Sequence, residues 1–576
     1  MRHLRWQLVI AILGMLLVGS LLNGKTQPGE TGGPTITVTA EPVRGGIYTE
    51  ALIGLPRQLN PLLDYNNPVD RDIDRLVFSG LTRFDAYGRP QPDLANWIVS
   101  DDGLTYTFVL RADARWHDGQ PVTAADVDFT IGLLQDPAFT GAPELARLWQ
   151  AVTLSVINNQ AFTVTLPEPF APFLDYTTFG LLPEHLLGQV PAAQLAAADF
   201  NQAPIGAGPF RFVAFTGENG QVNGVRLAAF DGYYGPAPLL NEVAFRFYPD
   251  VGAALAGYNA GEVLGISRLD ADNLHAALQT EQLGVYTTLL PEYSLIYLNL
   301  QSDELPFFQD KKVRQALLRG LNRSAMINQL LDGQAVVANS PVLPGSWAYN
   351  PTLPNIEYDP VSAAKLLDSA GWVIPDGASP GSEGYVRRKG EIELRFTLTT
   401  PDDELHLALA QSAAATWKQL GVIVTVNAVA PNTIRGAYLT PRPRTFDALL
   451  VDLNLSGTPD PDPYPMWHET QVESGQNYGG FNDRVTSELL EQARITSDLG
   501  ARARFYYQFQ SRFIDQAPAL LLFYPVYNYA VDASVNGVQV GPLIEASDRL
   551  NTLAQWSVVT RRVVVEQPAA TATATP

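Results

Sequence analysis

Two aspartates, Asp460 and Asp462, lie one residue apart in a loop that has prolines at positions 459, 461 and 463. Because proline restricts φ, such a loop loses little conformational entropy when a ligand binds. The pair could be half of a Ca²⁺ site, but further oxygen ligands are not evident nearby. The pattern instead favours carboxylates that meet a ligand amine, or a solvated turn.

Several kinds of chemistry are excluded by what the sequence lacks. It has no H-E-x-x-H or EF-hand pattern, and its 6 histidines are scattered. The absence of cysteine excludes disulfides, thiol catalysis and cysteine-ligated zinc. We therefore expect a protein that is not an enzyme and that has no catalytic residue, no metal site and no cofactor.

Length and charge narrow the class of protein further. The chain has 576 residues, of which 46% are hydrophobic, so it can bury more than one core. Its formal net charge is −21, and no long run of like charge stands out. No nucleic-acid partner is expected, because a nucleic acid is itself a polyanion.

The N-terminal residues have the pattern of an export signal or a membrane anchor. Two arginines precede an apolar run at 6–22, and no cysteine follows that could carry a lipid. We expect 1–22 to be the signal or anchor segment and 23–43 a linker. This would place the protein at the outer face of the cytoplasmic membrane, in the periplasm or outside the cell. At the other end, 561–576 is a low-complexity tail.

The elements that must position the aspartates follow from hydrophobic periodicity. Alternating apolar residues at 392–398 predict a strand. A helix is predicted at 404–420 and a second strand at 422–429, so the three elements form a parallel βαβ unit. The segment 446–453 predicts a third strand of that sheet and leads into the proline-rich loop. Ligands of open α/β sheets bind at such carboxyl-terminal strand ends.

Earlier in the chain the same alternation of strand and helix is present. Residues 104–110 alternate as a half-buried strand, and Thr123 followed by Asp126 predicts a capped helix start. Asp359-Pro360 predicts another helix start. These patterns indicate a mixed α/β protein.

Further blocks of sequence carry a family resemblance. They include, in order, Leu59-Asn-Pro-Leu62, Trp116-His-Asp-Gly-Gln-Pro-Val-Thr-Ala124, Pro204-Ile-Gly-Ala-Gly-Pro-Phe210, Tyr297-Leu-Asn-Leu300 and Pro344-Gly-Ser-Trp-Ala-Tyr-Asn-Pro351. Over about residues 44–560 the chain resembles the peptide-type extracellular solute-binding proteins of ABC importers. This is the oligopeptide-, dipeptide- and nickel-binding family, bacterial solute-binding family 5. The Trp116 motif reads as a turn, and we interpret it as scaffold.

The resemblance implies an α/β, two-lobe periplasmic-binding-protein-like fold of type II, with the extra subdomain of the peptide-binding class. The implied parts are 44–80, 183–290 and 526–560 for lobe one, 81–182 for the extra subdomain, and 291–525 for lobe two. The chain would cross between the lobes near 287–297 and 524–529, so we expect the hinge there.

The resemblance also implies which residues contact the ligand. Family members use main-chain groups of the loop before the Leu-Asn-Pro motif, aromatic residues near the hinge, and polar groups after the strand at 446–453. The candidates at matching positions are Leu55 and Arg57 through their backbone, Tyr293, Asn454, Asp460, Asp462, Tyr464, Trp467, Tyr478 and Tyr524. Peptide-binding relatives often carry Trp and then Asp at that strand end. This chain has Leu453 at the Trp position, so the acid that would meet a peptide ammonium is left open.

The function that the resemblance implies is a receptor that binds a peptide in a cleft between two lobes and delivers it to an ABC permease. We expect a monomer whose partners are this small-molecule ligand and the permease subunits in the membrane. An oligosaccharide is an alternative ligand, because Trp116, Trp347, Trp417 and Trp467 could stack on sugar rings, and a metal chelate is another. The alternative of a different class is a secreted α/β hydrolase.

Overall fold

The structure, a computed structural model, describes residues 35–567 apart from 219, 381, 383 and 457–459. The expected anchor at 1–22, the first part of the expected linker and the end of the expected tail lie outside the described residues. Among the helices of the described part, none is both long enough and apolar enough to cross a membrane.

The described ends of the chain form a unit of their own. Within it, Thr35–Pro42 pairs antiparallel with Thr560–Gln567. The last residues of the expected linker and the first of the expected tail therefore form a two-stranded ribbon. The sequence analysis did not predict this pairing, although both segments contain several β-branched residues that favour strands.

The strands, in chain order, are β1 (Thr35–Pro42), β2 (Ile47–Ile53), β3 (Thr82–Phe84), β4 (Pro90–Pro92), β5 (Ala95–Val99), β6 (Thr105–Leu110), β7 (Thr153–Asn158), β8 (Ala161–Thr165), β9 (Phe210–Glu218), β10 (Gln221–Ala229), β11 (Glu242–Tyr248), β12 (Gly265–Leu269), β13 (Leu283–Leu289), β14 (Glu292–Leu298), β15 (Ala335–Val337), β16 (Arg388–Lys389), β17 (Ile392–Glu393), β18 (Arg395–Pro401), β19 (Ile423–Val429), β20 (Ala448–Asn454), β21 (Ala519–Asp532) and β22 (Thr560–Gln567).

The α-helices are α1 (Pro68–Val77), α2 (Ala124–Gln135), α3 (Pro143–Gln150), α4 (Glu184–Leu187), α5 (Val251–Asn259), α6 (Ala271–Leu278), α7 (Lys311–Arg319), α8 (Arg323–Leu330), α9 (Pro360–Ser369), α10 (Glu404–Lys418), α11 (Pro431–Thr433), α12 (Tyr464–Trp467), α13 (Gln471–Ser474), α14 (Arg484–Ile495) and α15 (Leu499–Gln516). Short 3-10 helices lie at Asp64–Asn66, Ala171–Thr177, Ala192–Ala197, Asp199–Gln202, Pro306–Gln309, Ala546–Leu550 and Leu553–Gln555, and a π-helical turn lies at Ile434–Leu439.

The second unit, residues 44–559, is organised around a 12-stranded mixed sheet. The strand order is β19-β18-β20-β14-β21-β12-β2-β11-β10-β9, and β13 and β15 also pair with β21. A four-stranded sheet in the order β5-β6-β8-β7 lies within the expected extra subdomain. The mixed sheet and its helices confirm the predicted α/β class.

Strand β21 joins the two halves of the large sheet. Its residues 519–523 pair with β14, and its residues 526–532 pair with β13. The chain therefore passes from one half to the other at 290–291 and at 524–525, inside the ranges expected for the hinge. We term the half with β2 and β9–β13 lobe one, and the half with β14, β15 and β18–β20 lobe two. The residue-level lobe boundaries stay predictions.

Each lobe buries apolar side chains on both faces of its part of the sheet. Along β14, Ile296 and Leu298 belong to one core of lobe two, whereas Tyr293, Leu295 and Tyr297 belong to another. Successive side chains of a strand point to opposite faces, so this run of buried residues serves two cores. The crossing strands are thus held from both sides.

The predicted elements around the proline-rich loop are confirmed. Strands β18 and β19 are parallel and are joined through α10, and β20 pairs parallel with β18. Helix α9 begins at Pro360, with Asp359 as its N-cap. The loop that carries Asp460 and Asp462 therefore follows a central strand of lobe two.

The scaffold interpretation of the Trp116 motif is also confirmed. Trp116 is fully buried, and the amide of Gly119 donates to the Trp116 carbonyl at 2.9 Å. Gly119 has a φ of +90°, which favours glycine. The turn leads into α2, whose start is a capping box of Thr123 and Asp126.

Candidate functional site

A cavity of about 220 Å³ lies between the lobes, beside the crossing of the chain. Lobe one contributes the segment 540–544, the expected extra subdomain contributes the hairpin tip at 87–88, and lobe two contributes the loops at 341–346 and 460–463. We term it the cleft cavity. It is lined by Tyr87, Gly88, Thr288, Leu289, Pro291, Pro341, Val342, Leu343, Pro344, Ser346, Leu455, Asp460, Pro461, Asp462, Pro463, Met466, Val540, Gly541, Pro542, Leu543 and Ile544.

Proline and aliphatic side chains dominate this lining, and the segments around it meet through hydrogen bonds to the backbone. The amide of Trp347 donates to the carbonyl of Tyr87 at 3.1 Å. The hydroxyl of Thr288 donates to the carbonyl of Gly541 at 3.3 Å. Concave apolar walls with a few polar groups are typical of ligand sites.

Asp460 is engaged on both oxygens by Arg502 of α15. The two N–H···O bonds are each 2.6 Å long, and both side chains are 1% exposed. Arg502 also donates to the hydroxyl of Tyr506 at 2.7 Å. A bidentate pair at this depth is part of the scaffold, because leaving either charge alone would cost several kcal/mol. The two residues are 42 positions apart, so no local pattern connects them.

Asp462 has a second arginine partner. It accepts from Arg494 Nε at 2.6 Å and from the amide of Tyr464 at 3.0 Å. The Arg494 guanidinium lies 3.8 Å from the centre of the Tyr464 ring, and His468 stacks on the same ring. A carboxylate in such a pair can accept a further hydrogen bond. A role for either aspartate in meeting a ligand ammonium therefore stays a prediction.

Asp175, in the expected extra subdomain, lies next to Asp460 of lobe two. Burial and then the charge of Asp460 raise the pKa of the Asp175 carboxyl. Burial also raises the pKa of Asp460, although Arg502 opposes this. Oδ1 of Asp175 accepts no hydrogen bond. At this point the two parts of the molecule meet at a pair of acids, and the charge of Arg502 lowers the pKa of both.

The predicted aromatic contacts lie inside lobe two rather than on the cleft cavity. Tyr293 and Trp467 are fully buried, and Tyr524 donates to the carbonyl of Ser340 at 2.5 Å. Tyr478 is half-buried, beneath the guanidinium of Arg444 at 4.9 Å. These four residues and Tyr464 are absent from the cavity wall, so ligand contact by them stays a prediction.

One main-chain group of each residue expected to bind the ligand through its backbone already has a partner. The amide of Arg57 donates to Asp70 Oδ1 at 2.8 Å, and the carbonyl of Leu55 accepts from Asn67 at 3.0 Å. Asn454 is exposed at the end of β20. Of the ten predicted contacts, the cleft cavity brings together only Asp460 and Asp462.

Three of the four tryptophans that could stack on a sugar ring are fully buried in the structure. Trp116, Trp417 and Trp467 are fully buried, and the indole N–H of Trp417 donates to the carbonyl of Leu317 at 2.8 Å. Trp347 is half-buried and packs beside Tyr506 instead of lining the cleft cavity. These side chains fill cores because the surrounding strands and helices bury them.

Sequence reasoning missed most of the cavity wall. The segments 288–291, 341–346 and 540–544 are brought together by the tertiary structure alone. Their one local signal is a content of proline and glycine that is typical of loops. The motif at 344–351 was identified only as one of the blocks that carry the family resemblance.

Comparison with known proteins places this site in a family context. The family model for bacterial extracellular solute-binding proteins, family 5 Middle, matches residues 89–476. The oligopeptide-binding protein AppA of Bacillus subtilis (strain 168) is 29% identical over 511 residues, covering 87% of this chain and 90% of that protein. The dipeptide-binding protein of Escherichia coli (strain K12) is 28% identical over 486 residues, covering 78% and 84%.

Solved structures show the same fold. AppA of Bacillus subtilis in complex with a nonapeptide has a TM-score of 0.63 at 27% identity and covers 90% of this chain and 100% of that one. NikZ of Campylobacter jejuni in complex with Ni(L-His) has a TM-score of 0.64 at 27% identity, covering 88% and 99%. HbpA2 of Haemophilus parasuis has a TM-score of 0.75 at 22% identity, covering 87% and 99%. These likenesses confirm the expected two-lobe fold.

Proposed function

Since the chain belongs to the bacterial extracellular solute-binding proteins of family 5, we propose that it binds a peptide in the cleft between its lobes and delivers it to an ABC-type permease. The observation that carries this proposal is the cleft cavity, which has walls from both lobes and lies beside the chain crossing. Two relatives that match most of the chain are an oligopeptide-binding protein and a dipeptide-binding protein. In this role the protein is a receptor and not an enzyme.

Binding would work by lobe closure. The crossings at 290–291 and 524–525 are short, so small changes in their backbone angles can rotate one lobe against the other. A ligand that touches both lobes favours the closed state over the open one. Small-angle scattering with and without a saturating peptide should show a smaller radius of gyration when the peptide is bound. An unchanged radius would contradict closure.

A free peptide ammonium is expected to meet a carboxylate of the proline-rich loop. Asp462 suits this role better than Asp460, because Arg502 occupies both oxygens of Asp460. Calorimetry with Asp462→Asn, using one peptide with a free amino terminus and its N-acetylated form, separates the two roles. Selective weakening of the free-amino peptide by tenfold or more supports the contact. Equal losses for both peptides would assign Asp462 to the scaffold.

We propose that the apolar run at 6–22 holds the protein at the outer face of the cytoplasmic membrane. We also propose that the protein is a monomer. The absence of cysteine from the sequence supports this attachment over a lipid anchor. Fractionation of cells that express the full-length chain tests the assignment. Recovery of the protein wholly in the medium, with a new N-terminus after the apolar run, would identify a cleaved signal instead.

A metal chelate is the second candidate ligand, because NikZ, at 27% identity, was solved with Ni(L-His). Among the described residues, no group of three metal-ligating side chains could hold an ion. A chelate would therefore have to supply most of its own metal ligands. An oligosaccharide is less well supported as a ligand, because three of the four tryptophans that could stack on sugar rings are buried.

Native mass spectrometry of the freshly purified protein is the direct test of the ligand class. We expect co-purified peptides, and calorimetry with synthetic peptides of four to nine residues should then give saturable binding. A retained chelate or sugar would replace the peptide assignment. Turnover of the added peptide would overturn the receptor assignment in favour of a hydrolase.

A further inference from the structure

A second cavity, of about 310 Å³, lies within lobe one and the extra subdomain. It adjoins the cleft cavity, since Ile544 lines both. Its walls include α1, the 3-10 helices Asp64–Asn66 and Ala171–Thr177, and residues from 544 to 554. Carboxylates on these walls outnumber guanidinium groups by seven to three. We term it the acidic cavity.

The arginines of α1 on this wall already have acidic partners. Arg71 pairs with Glu545 at 2.9 Å, and Arg75 pairs with Asp548 at 2.9 Å and with Glu545. These ion pairs neutralise Glu545 and Asp548, which pack against α1. Neither arginine forms an ion pair with the other acids of the cavity wall, among them Asp74.

Asp74 is the exceptional side chain of this wall. It is 2% exposed, and neither carboxylate oxygen has a hydrogen bond of normal geometry, although the backbone amide of Asn60 is close enough to lower its pKa. Asp175, also on the wall, is equally buried and has one oxygen without a hydrogen bond. An unsatisfied buried carboxyl group destabilises the fold, so its presence in a cavity points to a ligand that completes it.

The other buried acids of α1 do have hydrogen-bond partners, so the lack of one is particular to Asp74. Asp70 accepts from the amides of Arg57 and Gln58 at 2.8 and 3.2 Å. Asp72 accepts from Arg549 at 2.6 and 2.7 Å. Asp70 and Asp72 accept hydrogen bonds from protein groups, whereas Asp74 lies on the wall of the acidic cavity.

The electrostatic setting favours a cation. Burial raises the pKa of Asp74 well above its usual range, and the charges of Asp64 and Asp70 add to this. Burial likewise raises the pKa of Asp64 to about 8, against the opposing charge of Arg71. Asp74 also lies near the C-terminal end of α1, where the helix dipole disfavours an anion. A bound positive charge would relieve all three effects.

We propose that the acidic cavity binds a positively charged organic group, an ammonium or a guanidinium, with Asp74 and Asp64 as its partners and Asp175 on the side of the cleft. A metal ion is a poorer match, because no metal-ligating group of three side chains occurs in the part of the chain that the structure describes. The group has two sources: the basic side chain of a peptide in the cleft, which rests on the proposed function, or a separate small organic cation.

Calorimetry with methylguanidinium chloride and butylammonium chloride, each against sodium chloride at equal ionic strength, tests the cavity alone. We expect saturable binding to the wild type and at least tenfold weaker binding to Asp74→Asn. Asp175→Asn is a second variant in case Asp74→Asn fails to fold, and it should also weaken binding. Asp128→Asn, an exposed position on α2, is the matched control and should bind as the wild type does. Equal binding of the cations by the wild type and all three variants would indicate a general salt effect and would overturn the proposal.

Peptides that differ only in lysine or norleucine at one position, scanned along a pentapeptide, test the first source. A side chain in the acidic cavity predicts at least tenfold tighter binding of one lysine peptide to the wild type and loss of that preference in Asp74→Asn. Binding of the free cations without any lysine preference assigns the cavity to a separate cation. Peptide binding without preference and without cation binding overturns this inference and leaves the proposed function intact. Cation binding without peptide binding does the reverse.

Discussion

In lobe two, Asp460 and Asp462 each accept a hydrogen bond from an arginine at 2.6 Å, and Asp460 accepts two. In lobe one, Asp74 is just as deeply buried, but it has no side-chain partner and no hydrogen bond of normal geometry. A paired carboxylate contributes to the fold, whereas an unpaired one destabilises it and can gain from a ligand. The role of a buried acid therefore depends on its partners more than on the loop or helix that carries it.

The largest expected effect is at Asp460. Asp460→Asn leaves Arg502 with a buried and uncompensated charge, so the free energy of unfolding should fall by about 3–5 kcal/mol. Urea unfolding followed by tryptophan fluorescence measures this, with the exposed Asp128→Asn as control. A loss below about 1 kcal/mol would show that the pair is not part of the scaffold.

Next in size is a contrast between two acids of the same helix. Asp72→Asn weakens the contact with Arg549 and should destabilise the protein by about 2–3 kcal/mol, the typical worth of hydrogen bonds to a charged group. Asp74→Asn should instead stabilise it at pH 7, because burial raises the pKa of the Asp74 carboxyl in the folded state and an uncharged amide carries no such penalty. Thermal unfolding of both variants gives the signs. Destabilisation by both would mean that Asp74 has a structural partner.

How far the sequence predicts the molecule depends on the distance over which each feature is specified. The βαβ unit around α10 and the capping box at Thr123 follow from residues a few positions apart, and the structure has both. The ribbon of β1 and β22 joins the two ends of the chain, so no local signal could establish that pairing. The family resemblance supplied the two-lobe arrangement that periodicity alone does not specify.

The candidate site was harder to predict for the same reason. The proline-rich loop was identified because its acids and prolines are adjacent, but Arg502 is 42 residues from Asp460. The buried partners of Asp72 and the lack of one at Asp74 are invisible in the run Asp70-Arg-Asp-Ile-Asp74, where every second residue is an aspartate. Only the folded chain distinguishes these three side chains.

A smaller effect is expected from pH at the acidic cavity. The pKa of Asp64 is raised in the folded state to about 8, where Arg71 and Arg75 oppose burial and Glu545, Asp70 and the neighbouring Asp74 add negative charge. The folded protein therefore binds a proton that the unfolded chain releases, and this contribution to stability grows as the pH falls from about 8 towards 4. Asp64→Asn should reduce that slope in urea unfolding between pH 5 and 8. An identical slope in the variant would show that Asp64 titrates normally.

The smallest effect is expected at Arg494, which tests whether burial decides the worth of the pairs in lobe two. The Arg494 and Asp462 side chains are 28% and 7% exposed, against 1% for both Arg502 and Asp460. Water can solvate Arg494 and screen its charge, so Arg494→Ala should cost about 1 kcal/mol or less, including its contact with the Tyr464 ring. Arg502→Ala is the matched variant, and it should cost several times more because Asp460 remains buried without a partner. Urea unfolding of the two variants under one set of conditions gives the ratio. Equal losses would mean that loop geometry, and not the exclusion of water, sets the value of each pair, and the contrast between the two lobes would then need another cause.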